Sequence, residues 1–247
     1  TLPAPLDMAA TSPNPSTITS DPMLSSTTTT LGSEIIVSDN WPVTIDASQL
    51  PAGLTLDGGA GANRIFEANA GSGFHLIGLT LTGGGGEGTN DSGNGGAINN
   101  RGSLRLTRCT LTGNTSSNLG KAIYTQAGTL VLERCTVSGN PGGSSIYAAS
   151  GVNSLTFCTL GGGDFIDGPG AWTLTSSIVT GGIYGTGALN CVGNNFATVS
   201  GPTVTGTTPT GGDPQLAPLA LNGGRTMTHS LRGISPARNN AGKIPTA

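Results

Sequence analysis

Twelve residues, Ser103 to Asn114 (Ser-Leu-Arg-Leu-Thr-Arg-Cys-Thr-Leu-Thr-Gly-Asn), return 26 positions later as Thr129 to Asn140 (Thr-Leu-Val-Leu-Glu-Arg-Cys-Thr-Val-Ser-Gly-Asn). Their apolar positions, Leu104, Leu106, Cys109 and Leu111, then Leu130, Leu132, Cys135 and Val137, fall in two period-2 pairs separated by a one-residue slip. Alternation of this kind predicts two short strands meeting at a corner, with Thr107-Arg108 and Glu133-Arg134 as the corner residues. A repeat in the twenties built from strands and glycine turns predicts a solenoid, because one coil cannot bury its apolar face alone and must stack on its neighbours.

The leucine three residues before the cysteine position recurs at Leu76, Leu106, Leu132, Leu155 and Leu174, giving coils of 30, 26, 23 and 19 residues. The cysteine position itself reads Leu79, Cys109, Cys135, Cys158, Ser177. A second ladder runs through Ile98, Ile123, Ile146, Ile166 and Ile183, and the length changes fall between the long strand and this isoleucine strand, with Gly83 to Gly96 the longest insertion. Insertions on one side of a solenoid become loops on one face, often a binding face. The 42 glycines and 9% charged residues suit tight turns. A net charge of −3 with ten scattered Lys and Arg gives no basic stripe for nucleic acid, and no apolar run approaches the roughly 18 residues of a membrane span.

Three regions are expected: an extended Thr/Ser/Pro-rich arm over residues 1–33, a parallel β-helix over 34–211, and a C-terminal segment over 212–247 that departs from the repeat and caps the open end. A start at Thr1, with no initiator Met or apolar leader, fits either a processed mature chain or a piece cut from a longer one, and removal of a secretory signal is the expectation preferred. The prolines at 3, 5, 13, 15 and 22 exclude a helix from the arm, while Ile18 to Leu31 is β-branched enough to pair along an edge. An arm paired with its own helix would give a capped monomer; one reaching into the next subunit would make a head-to-tail contact that does not close, hence a filament, the outcome favoured here.

The Cys-Thr-Leu-Thr-Gly-Asn strand, Gly95-Gly96-Ala97-Ile98, the run Gly212-Asp213-Pro214-Gln215-Leu216-Ala217-Pro218-Leu219, and Asn222-Gly223-Gly224 with Thr228-His229-Ser230-Leu231 and Ser235-Pro236-Ala237 carry a resemblance. The chain resembles bacterial secreted parallel β-helix proteins of the choice-of-anchor Q type, over roughly residues 34–240. The repeat itself also resembles that of polymorphic outer-membrane proteins. The resemblance implies a right-handed parallel β-helix exported to the cell surface, with no established enzymatic activity. Arg238-Asn239 departs from the family's usual Ile-Asp, and no sorting motif or apolar anchor follows Lys243.

Cys109, Cys135 and Cys158 lie in the inward phase and are expected to be buried free thiols, stacked about 4.8 Å apart; replacing Cys135 by serine should bury a hydroxyl without a partner. Cys191 lies outside this ladder. Asn114 and Asn140 close equivalent strands and read as a structural ladder. Thr80, Thr110, Thr136 and Thr159 read as an outward array, suited to the solvent face of a strand. Gly83 to Gly88 contains G-x-G-x-x-G, but no helix follows to complete a phosphate site. Glu87, Asn90 and Asp91 offer oxygens of the kind calcium takes, yet the nine-residue calcium repeat is missing. Asp164 and Asp167 are the one close acidic pair, and glycoside hydrolysis needs two carboxylates roughly 5 to 9 Å apart. His75 and His229 stand too isolated to serve as a base. Tyr124, Tyr147 and Tyr184 either cover the isoleucine ladder or stack against sugars. The expected function is therefore a non-catalytic, extracellular structural or adhesive element that assembles with copies of itself, with no catalytic residue, metal or cofactor. The alternative is a module that binds or cleaves polysaccharide.

Overall fold

The computed structural model describes residues 14–38, 40–59 and 62–239. It is an all-β parallel solenoid in which each coil contributes one strand to each of three faces. The first face is a nine-stranded parallel sheet that begins at Ser16–Thr19 and Val43–Asp46, runs through Gly73–Ile77, Ser103–Thr107, Thr129–Glu133 and Val152–Thr156, and ends at Ala171–Thr175, Ala188–Val192 and Thr203–Gly206. The second face stacks Thr27–Thr30, Leu54–Asp57, Leu79–Thr82, Thr110–Leu111, Thr136–Ser138 and Thr159–Gly161. The third stacks Ile35–Val37, Phe66–Ala68, Ile98–Asn100, Ile123–Thr125, Ile146–Ala148 and Ile166–Asp167.

Both ladders hold in register. Leu76 pairs with Leu106, Leu106 with Leu132, Leu132 with Leu155 and Leu155 with Leu174. Ile98, Ile123, Ile146, Ile166 and Ile183 pair in turn, and all are buried. Burying each such side chain contributes about 1.5–3 kcal/mol, and like side chains stacked in parallel coils leave no size mismatch to fill. As the loop between the second and third faces shortens it finally vanishes: one strand, Ile178–Ile183, then pairs with both faces and joins them into a fourteen-stranded sheet. Cys191 finds its place here, pairing with Leu174 and pointing inward as the next rung of the leucine ladder.

The corner between the first and second faces is built the same way in coil after coil. Gly78, Arg108, Arg134, Phe157, Ser176 and Gly193 all take positive φ, from 46° to 69°. The residue that follows each non-glycine corner turns inward. Cys109 Sγ donates to Leu76 O (3.4 Å), Cys135 Sγ to Leu106 O (3.4 Å) and Cys158 Sγ to Leu132 O (3.3 Å). The chain then keeps the bond while changing the donor: Ser177 Oγ reaches Leu155 O (3.3 Å), and Asn195 Nδ2 reaches Leu174 O (3.2 Å).

This corrects the expectation for serine at Cys135. Burial pushes the Cys135 thiol well up, so it stays protonated and acts as a donor. Because Ser177 shows that a hydroxyl at the equivalent place is satisfied by Leu155 O, Thr175 O and Cys158 N–H, Cys135→Ser is expected to change stability by less than about 1 kcal/mol. Cys135→Val removes the donor and is expected to cost more than serine does; urea denaturation of the two variants side by side checks the order.

At the N-terminal end the stretch expected to pair along an edge does so within its own chain. Ser16–Thr19 and Thr27–Thr30 pair in parallel with Val43–Asp46 and Leu54–Asp57 of the same chain. The first coil therefore starts inside the stretch expected as an arm; Ile18 packs on the core and Leu31 enters it. Residues 1–13 lie outside the described residues. Among the described residues, the C-terminal segment adds no strand beyond Thr203–Gly206, the last strand of the first face. It folds into an antiparallel hairpin, bridged at Leu216–Leu231 and Ala220–Thr228, that lies along the second face and runs back toward the first coils. Thr110 Oγ1 donates to Met227 O (2.7 Å), Thr226 Oγ1 to Arg108 O (3.3 Å), and His229 Nε2 meets Ser138 Oγ (2.8 Å). The threonine array is thus covered by this strap: Thr110 is 0% exposed, and Thr80 and Thr136 are buried too. The strap's motif residues hold its shape. Asn222 Nδ2 bonds Thr228 O (2.8 Å) across the tip, His229 Nδ1 meets Ala217 O (2.7 Å), and Ser235 Oγ bonds Pro214 O.

Candidate functional site

The long loop over residues 83–96 lies on the face where insertions gather, and a residue not singled out from the sequence occupies its centre. Arg64 is fully buried. Its Nη1 lies 2.6 Å from Glu34 Oε1 and 2.9 Å from Glu67 Oε2. Its other donors reach the carbonyls of Gly86 (3.1 Å), Asn90 (3.0 Å), Asp91 (3.1 Å) and Asn94 (2.9 Å). The loop carbonyls that would turn toward a metal ion are turned toward a guanidinium instead, so the protein carries its own cation here. Lys121 acts in the same way in the following coil, its ammonium donating to Ser116 O (2.6 Å) and Asn118 O (2.9 Å), with burial lowering its pKa.

The glycine run follows from this packing. A Cβ on Gly88 would stand 2.3 Å from Glu34 Oε1 and 2.5 Å from Arg64 Nη1, and one on Gly84 would stand 2.2 Å from Gly96 O. The run lets backbone approach backbone and an ion pair. The calcium candidates are held by the same arrangement. Glu87 bonds Ser92 Oγ, Asn90 Nδ2 donates to Glu67 Oε1 (2.5 Å), and the Asp91 carboxylate receives Asn99 Nδ2 (3.3 Å) and Gln126 Nε2 (3.4 Å). Burial pushes the Glu67 carboxyl above its ordinary range, against the hydrogen bond from Asn90.

Asp164 and Asp167 have separate hydrogen-bond partners. Asp164 is buried and ends the asparagine ladder: Asn114 Nδ2 donates to Asn140 Oδ1 (3.1 Å), and Asn140 Nδ2 donates to Asp164 Oδ1 (3.0 Å). The same carboxylate accepts Gly139 N–H (2.7 Å) and Ser145 Oγ–H. Asp167 sits on the outer side of the third face and accepts the N–H of Gly168 (2.7 Å). Other acids also close turns: Asp46 takes Ser48 N–H, Asp57 takes Gly59 N–H, and Asp213 takes Gln215 N–H, each at 2.7 or 2.8 Å. Asp39 lies outside the described residues.

Tyr124 and Tyr147 stack at 5.9 Å, and Tyr184 meets Phe165 edge-on at 5.5 Å. Tyr124 is buried and Tyr184 well exposed, so the three do not form one open stripe. His75 lies on the outer side of the first face, 2.9 Å from Thr107 Oγ1, with its pKa lowered by burial and by Arg105. His229 belongs to the strap. Among the described residues no three His, Cys, Asp or Glu side chains converge as a metal would need, and no helix is long and apolar enough to cross a membrane. Comparison with family models, curated proteins and solved structures returns no match.

Proposed function

We propose that this chain is a non-catalytic structural or adhesive element of the bacterial cell surface, a secreted β-helix that assembles head to tail with copies of itself. The observation that carries the assembly is the last strand of the first face, Thr203–Gly206. It pairs with Ala188–Val192 on one side, and all four of its residues are exposed. Such an edge presents unpaired donors and acceptors in the register a further parallel strand needs. Among the described residues, the segment that follows it lies on the second face as the strap. The first coil is paired within its own chain from Ser16 onward, so assembly through a swapped Ser16–Thr30 arm gives way to assembly through the coil ends, with Ser16–Thr19 of a second copy as the matching strand. A non-catalytic role is supported by the structural engagement of Glu34, Glu67 and Asp164, and the surface location by the resemblance of the repeat and the C-terminal motif.

Electron microscopy of the purified full chain tests this, with Val204→Lys as the edge-blocking variant. Filaments in the wild type and single rods in the variant, with unchanged circular dichroism, are expected. Single rods in the wild type at high concentration, or filaments that persist in Val204→Lys, overturn the assembly.

A further inference from the structure

A cleft of about 640 Å³ opens where the tip of the strap passes the corner between the first and second faces. Arg108, Arg134 and Arg225 line it, together with Ser48, Pro51 and Thr226. Among the described residues, no carboxylate lines it.

Arg108 and Arg134 occupy equivalent corner positions in consecutive coils, each at φ 53°. Their side chains therefore leave the corner side by side, separated by the strand spacing of about 4.8 Å. Two guanidinium groups at that spacing repel, and the backbone there prefers glycine, which the chain uses at the same position at Gly78 and Gly193. Neither pressure is relieved locally. Among the described residues, no ion pair engages Arg108, Arg134 or Arg225. Glu133, beside Arg134, is turned to Arg105 at 2.8 Å. Arg134 is steadied instead by the Phe157 ring, 5.7 Å below its guanidinium.

The strap holds the backbone on either side of the third arginine. Thr226 Oγ1 bonds Arg108 O, and Met227 O accepts from Thr110 Oγ1. At the tip the Arg225 carbonyl lies so close to Gly53 that a Cβ there would stand 2.2 Å from it. Three arginines lining one cleft, with the hydroxyls of Ser48, Thr226 and Thr228 beside them, supply the forks that hold planar anions bidentately.

We propose that this cleft binds an acidic polysaccharide through its uronate carboxylates. The inference rests on the reading of the chain as a non-catalytic surface element, for which it names a partner. The volume is in the range of organic ligands and far exceeds a single inorganic anion. Three arginines on a chain of net charge −3, with no aromatic side chain lining the cleft, do not make a nucleic-acid footprint.

Calorimetric titration of the full chain at low salt tests the proposal, with the trisaccharide of galacturonic acid as probe and maltotriose, inorganic sulfate and a single-stranded oligonucleotide as comparisons. The uronide is expected to bind with salt-sensitive affinity and maltotriose not to bind. Arg108→Gly and Arg134→Gly install the residue that equivalent corners already carry, so the coil is kept while the charge is lost. Each is expected to weaken binding at least ten-fold, as is Arg225→Ala, whereas Arg232→Gln, outside the cleft, leaves it unchanged. No uronide binding by the wild type, equal binding by the three cleft variants, or sulfate or the oligonucleotide binding as tightly as the uronide each overturns the proposal. Binding accompanied by cleavage of the trisaccharide would leave this site standing and overturn the non-catalytic reading. Filaments without uronide binding would do the reverse.

Discussion

Arg64→Ala is expected to lower stability by about 3–5 kcal/mol, because the variant keeps two buried carboxylates and removes the guanidinium between them. The loop over residues 83–96 loses its anchor in the same step, since the carbonyls of Gly86, Asn90, Asp91 and Asn94 all bond that side chain. Limited proteolysis is therefore expected to cut first in this loop, and the urea midpoint to fall. Arg64→Lys restores the charge but not the fork, and is expected to recover less than half of the loss. The deficit of Arg64→Ala is expected to shrink as the pH is lowered. Burial raises the folded pKa of Glu67 above 4.5 even with Arg64 opposing it, and without Arg64 the carboxyl rises further. In the window above 4.5 the folded variant then binds the extra proton and gains stability as the pH falls. A deficit that is flat with pH would place the destabilisation elsewhere.

Asp164→Ala is the second large effect, about 3–5 kcal/mol. One carboxylate accepts from Gly139 N–H, Asn140 N–H, Asn140 Nδ2 and Ser145 Oγ, and the last three belong to buried residues. Alanine leaves these donors without an acceptor and out of reach of water. Asp164→Asn removes the charge and keeps the shape. It retains one oxygen for Asn140 and Ser145 but turns an N–H₂ toward Gly139 N–H, so it is expected to cost about half as much as alanine. Thermal denaturation of the two variants checks the order. Equal loss in both would mean that the charge, rather than the count of acceptors, holds the turn.

These two residues also mark where the sequence stops being legible. The leucine and isoleucine ladders could be read because inward positions repeat with the coil and tolerate only apolar side chains; the corner at Thr107-Arg108 and Glu133-Arg134 could be read from the one-residue slip, though not its left-handed backbone. Asp164 could not be read as the end of the Asn114–Asn140 ladder, because the residue type changes while the hydrogen bond is kept. Ser177 could be read at the cysteine position from its spacing, but Asn195 could not, since it continues that ladder by its acceptor geometry alone. Arg64 gave one local signal, a cation directly before Ile65 and Phe66 with Glu67 three residues on; its remaining partners lie 22 to 31 residues away. The strap was visible as a departure from the repeat. Whether it covers the end or a side depends on contacts such as His229 to Ser138, 91 residues apart, which no periodicity encodes.

The strap makes the solenoid a measured object. Coils can ordinarily be gained or lost one at a time, because each touches only its neighbours. Here a single hairpin is pinned near both ends: Thr210 pairs with Phe196 of the late coils, while the Arg225 carbonyl sits against Gly53 of an early one. Between them His229 must meet Ser138, and Met227 must meet Thr110. Inserting or removing one coil slides every one of these partners by about 4.8 Å, more than any hydrogen bond can stretch. The hairpin is thus a ruler: the number of coils in this protein can change in evolution or by design only together with the length of its C-terminal segment.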